Sequence, residues 1–73
     1  MREFEKKKLN HDVVKHIKML AAAVGTLQDV ADITGISRRT IYRRIDDPER
    51  LTLAEIRELN ALAQKEGLNY TFV

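Results

Sequence analysis

Residues 26–45 read TLQDVADITGISRRTIYRRI, and the glycine in their middle, Gly35, leaves little choice of fold around it. Leu27, Val30 and Ala31 fall at i, i+3 and i+4, the apolar stripe of one short helix. Thr26 is a good N-cap for that helix, and Asp29 has the spacing to reach back to the Thr26 amide as a capping box. The helix is expected to end near Thr34, because Gly35 accepts the positive φ that a sharp exit needs. Ile36 then turns back toward the core and Ser37 caps a second helix. Ile41 and Ile45, with Tyr42 beside them, form its apolar side, and Arg38, Arg39, Thr40, Arg43 and Arg44 take its other faces.

Helices are expected on both sides of this pair. Asn10 reads as an N-cap, and Asp12 suits the positive end of a helix dipole. Val13, Ile17, Leu20 and Val24 repeat at helical spacing, Val14 and Ala21 widen the stripe, and Gly25 closes the helix. After the pair, Pro48 restricts Asp47 and lacks an amide hydrogen, so the second motif helix should end near Ile45 or Asp46 in a turn over 46–50. Thr52 and Glu55 make a second capping box. They open a helix with Leu53, Ile56, Leu59, Leu62 and Ala63 inward. Gly67 is its expected C′ residue, with Leu68 folding back on the last turn.

The two ends read differently. Residues 1–9 (MREFEKKKL) show no apolar stripe. Their lysines, Lys7 among them, are either a solvated run at a loose terminus or an arm along a phosphate backbone. Residues 69–73 (NYTFV) are β-branched and aromatic and read as a short strand or extended tail. A lone strand must pair with something. The same strand in a second copy would pair with it about a two-fold axis, burying Tyr70 and Phe72 in a homodimer.

The expected fold is thus all-α: one domain over residues 1–73, a compact bundle of four to five short helices. Residues 1–9 form a basic arm, 10–67 the helical core, and the rest a tail. At 73 residues without cysteine, only helix packing or a partner subunit can supply stability. The longest apolar run, about six residues at 19–24, is too short to span a membrane. The charged start has no apolar segment of a secretory signal, so a cytoplasmic protein is expected.

Net charge is only +2, and its distribution says more. Residues 1–18 hold six basic and three acidic side chains, 26–45 four and two, and 46–67 three and six. A chain polarised in this way can offer a polyanion one positive side.

The pattern Val30-Ala31, Gly35 four residues later, Ile36, and Ile41 six after the glycine resembles the helix-turn-helix of the phage repressor and Cro family. In that motif a small residue stands at Ala31 because the second helix crosses close over it. The resemblance continues through 52–67 and covers about two-thirds of the chain. One position departs: Arg44 stands where the family has an apolar residue, and Ile45 follows it.

The resemblance implies a sequence-specific regulator that binds a palindromic operator in double-stranded DNA as a homodimer. Its second motif helix would enter the major groove, with recognition helices about 34 Å apart. By the same resemblance Arg38, Arg39 and Arg43 face base edges, with Ser37 and Thr40 at the groove edge. Arginine favours guanine, since its fork donates to both O6 and N7. Gln28 and the start of the first motif helix should face phosphate, and Tyr42 and Arg44 are candidates for backbone contacts. Arg44 is equally suited to a surface ion pair with Asp46 or Asp47.

No nucleophile–base pair, carboxylate dyad or glycine-rich phosphate loop appears, so neither catalysis nor a cofactor or small-molecule ligand is expected. His11 and His16, five apart, lie on different helical faces and are expected at the surface rather than on a metal. The rival reading is a protein-interaction module, an adaptor or antitoxin-like partner that uses the tail and helix faces.

Overall fold

The first helix, α1, runs Glu3–Val24, so it begins before Asn10, the residue expected to cap it. The computed structural model describes residues 3–69 and 72, with side chains from Asn10 onward. The basic stretch is therefore helical from residue 3, not a separate arm. Glu, Lys and Leu are strong helix formers, and a nucleated helix adds one hydrogen bond for each further residue fixed. Asn10 in the interior costs only a few tenths of a kcal/mol by propensity, too little to stop it. The side chain of Lys7 and the whole of Tyr70 lie outside the described residues.

Val13, Ile17 and Leu20 of α1 are buried, and Ala21 and Val24 pack at their edge. Val14 does not widen that stripe. It borders a shallow groove on the outer side of α1 together with Met19.

The second helix, α2, is Leu27–Thr34 and opens with the expected capping box. The Thr26 amide donates to Asp29 Oδ2 at 2.9 Å, and the Asp29 amide donates to Thr26 Oγ1 at 3.2 Å. Gly35 closes the helix at φ 78°, with its amide bonded to the Ala31 carbonyl at 2.9 Å. Val30 and Ala31 are buried, and so is Thr34. The Thr34 hydroxyl donates to the Val30 carbonyl at 2.7 Å and accepts from the Ile36 amide at 3.2 Å, so neither role is left open.

The third helix, α3, spans Arg38–Asp46 and is held from below by Ile41, with Ile36 and Ile45 packed beside it. A 3-10 turn, Pro48–Arg50, leads to α4, Leu53–Lys65, where Thr52 and Glu55 complete the second capping box. Leu59, Leu62 and Ala63 of α4 are buried and Ile56 packs against them. Leu53 was expected inward and is 63% exposed. It is the first residue of α4, past the end of the core, and Leu51 packs there instead. The helix closes as expected at Gly67: the Leu68 amide reaches the Ala63 carbonyl (3.0 Å) and the Gly67 amide that of Gln64 (3.1 Å).

The tail departs from expectation. Among the described residues there is no strand. Phe72 is instead 3% exposed and belongs to the same core as the four helices. Its carbonyl accepts from Asn60 Nδ2 at 3.1 Å, and its amide donates to Asn60 Oδ1. One side-chain amide supplies what a neighbouring strand would have supplied. The ring of His16 meets Phe72 edge-on, with centroids 5.7 Å apart and planes at 83°, so His16 is half-buried and not a surface histidine. Phe72 is consumed inside the monomer and is not available for the dimer contact expected of it.

No helix among the described residues is long and apolar enough to cross a membrane.

Candidate nucleic-acid interface

The exposed side of α3 is built by what lies beneath it. Ser37 stands in extended backbone (φ −61°, ψ 148°) and its Oγ accepts the Thr40 amide at 3.1 Å, so the helix starts sharply at Arg38. The Ser37 hydroxyl donates to Thr40 Oγ1 at 2.9 Å. Thr40 is half-buried. Ile41 at 3% exposure sets the inward direction. Successive residues turn by about 100°, so Arg39 and Arg43 stand one above the other on the outward face. Arg38 and Tyr42 share the adjoining strip one turn apart, and Tyr42 is 50% exposed.

Arg38, Arg39 and Arg43 are all exposed. Their guanidinium groups hold no ion pair or hydrogen bond among the described residues. Three of the five expected base-facing side chains are thus solvated cations on one short helix. The other two, Ser37 and Thr40, spend hydrogen-bonding capacity on the cap.

Arg44 is not part of that surface. Its Nε donates to Glu55 Oε1 at 2.8 Å and its Nη2 to Oε2 at 3.2 Å, a two-pronged pair from α3 to the first turn of α4. This removes Arg44 from the expected backbone contacts, and it also replaces the expected pairing with Asp46 or Asp47. Asp47 pairs with Arg50 at 3.3 Å. At the place where the resembled family puts an apolar residue, the Arg44 stem is largely covered and only the head is ionic, so Ile45 can still pack inward.

The pair shifts both groups in the direction of charge. Hydrogen bonding from Arg44 holds the Glu55 carboxyl below the usual carboxylate range, against the opposing effect of burial. The Arg44 guanidinium is raised by the same hydrogen bond. Glu55 Oε1 also accepts the Thr52 amide at 2.9 Å, so one carboxylate both caps α4 and grips α3. The capping role was legible from Thr52-x-x-Glu55. The grip was not, because Arg44 and Glu55 are 11 residues apart.

The start of α2 is less suited to phosphate than expected. The Asp29 carboxylate already occupies it, bonded to both the amide and the hydroxyl of Thr26. Gln28 is exposed, with its Nε2 donating to Asp32 Oδ1 at 2.9 Å. These two carboxylates repel a second anion there.

Beyond α3, Arg43, Arg44 and Arg50 border an open groove of about 360 Å³ with Asp46 and Asp47, where the two signs are mixed. Among the described residues no three His, Cys, Asp or Glu side chains gather as a metal site. Compared with protein-family models, with curated proteins and with solved structures, the chain matches none.

Proposed function

We propose that this chain is a sequence-specific double-stranded DNA-binding regulator of repressor/Cro type, working as a homodimer in the cytoplasm at a palindromic operator. The observation that carries the reading is the outward face of α3. Arg38, Arg39 and Arg43 are exposed and unpaired, on a helix whose inward side is fixed by Ile41, by the Ser37 cap and by the Arg44–Glu55 pair. Desolvation of three unpaired cations is compensated when they meet phosphates or guanine edges, and a helix of this width fits the major groove.

In this reading Arg39 and Arg43 read base edges and Arg38 works from the start of the helix, while Tyr42 on the adjoining strip reaches the sugar–phosphate backbone. Gln28, whose amide is held by Asp32 beside a second carboxylate, takes no part, and Lys7 contributes through charge alone. Ser37 and Thr40 act mainly by holding the helix end. No metal or cofactor takes part.

Selection of bound duplexes from a random pool tests the proposal. Enrichment of one motif is expected, with affinity falling steeply as salt rises, at a log–log slope of about −0.9 per phosphate contacted. A pool that enriches nothing, or binding to a protein partner that is indifferent to salt, would favour the interaction-module reading.

A further inference from the structure

We infer that two copies of this chain pair through the outward faces of α2 and α4, about a two-fold axis passing close to Ala61. Ile33, near the end of α2, is 51% exposed. It borders a groove of about 140 Å³ whose other walls are Thr34, Glu58, Ala61, Leu62 and Lys65. A cavity of about 150 Å³ takes up a benzene-sized apolar group, so this groove has room for one branched aliphatic side chain. Under two-fold symmetry the knob and the hole lie on the same patch: each Ile33 fills the groove of the other copy.

The charges select a second copy over other occupants. Glu58 and Lys65 lie two turns apart on α4, roughly 10.5 Å along the helix, with Ala61 and Leu62 midway. In an antiparallel α4 pair centred there, Glu58 faces the partner's Lys65, and Lys65 faces the partner's Glu58. Ala61 is exposed and small, so the two helix backbones can approach closely.

The rival apolar surface, on α1 around Val14 and Met19, is bordered by Lys15 and Lys18. Two copies meeting there would bring lysines against lysines. None of the α2–α4 residues belongs to the arginine face of α3, so pairing leaves that face open. The inference supplies an interface for the proposed dimer, and it is tested without DNA, so the two fail separately.

Sedimentation equilibrium from micromolar to millimolar protein, in DNA-free buffer, measures it. The parent is expected to dimerise. Ile33→Glu should weaken the dimer about tenfold or more, because it would bury a charge in an apolar groove. Its circular dichroism should match the parent, since Ile33 is half exposed. Glu58→Lys should weaken pairing about threefold to tenfold. Glu58→Lys combined with Lys65→Glu should restore the parental constant to within about twofold, because the swapped charges face each other again. A parent monomeric throughout, an Ile33→Glu protein that pairs like the parent, or a double variant as weak as Glu58→Lys would each overturn the inference.

Discussion

Asn60 satisfies both backbone hydrogen-bonding groups of Phe72 with a single carboxamide. Its placement on α4 decides where the end of the described chain goes. The Phe72 ring is fully inside, a burial of about 1.5–3 kcal/mol, and its flanking polar groups could not follow without a partner. Asn60→Ala should therefore cost about 1–3 kcal/mol, the range for orphaning buried polar groups. Phe72→Ala should cost about 3–5 kcal/mol. Urea unfolding of both variants measures this, and a tail that merely frays would leave both midpoints unchanged.

The Arg44–Glu55 pair makes stability fall in acid. The folded carboxyl lies below its unfolded value, so the unfolded chain binds more protons as pH drops. The contribution is complete above the unfolded carboxylate pKa and disappears as pH falls through the folded one. Glu55→Gln retains an acceptor for Thr52 but not the charge. The gap in urea midpoint between parent and Glu55→Gln should hold from pH 7 to about pH 5 and narrow as pH falls from there toward about pH 3. A gap that stays constant over that range would show that the charge contributes nothing.

At the turn, two substitutions separate strain from packing. An added Cβ on Gly35 meets nothing within 4 Å, yet the backbone there has φ +78°. Gly35→Ala should cost about 1–2 kcal/mol from conformation alone. Ala31 is 6% exposed in the shared core, and Ala31→Leu should cost about 1–3 kcal/mol by overpacking and reduce DNA binding with it. An Ala31→Leu protein that melts like its parent would mean the two helices do not press together there.

On DNA, Arg39→Ala should lose about 1–3 kcal/mol on the preferred site and relax the choice at one base pair. If the start of α1 touches DNA, Lys7→Ala should weaken all sequences alike and flatten the salt slope. Unchanged affinity and preference in Arg39→Ala would remove that residue from the reading face.

The features legible in the sequence are the ones built from neighbours. Thr26 with Asp29, Ser37 with Thr40, Thr52 with Glu55, and Gly35 and Gly67 at helix ends all act over three to five residues, where backbone geometry fixes who meets whom. The misreadings have two sources. Asn10 looked like a cap because its local preference ignores that helix growth runs past weak stops. The partners of Arg44 and Phe72 lie 11 and 12 residues away, and only the packing of separate helices brings them together. The β-branched and aromatic make-up of 69–73 pointed to burial of Phe72, but against a second copy and not in the core of its own chain. It could not show that an asparagine side chain, rather than a strand, waits on the other side.

The Ser37 cap, Ile41 and the Arg44–Glu55 pair hold α3 without help from Arg38, Arg39 or Arg43. The residues that fix the helix and those that face outward are separate sets. Exchanges on the outer set should stay within about 0.5 kcal/mol of the parent's stability. An engineer can therefore randomise those three positions while the frame that aims them stays intact.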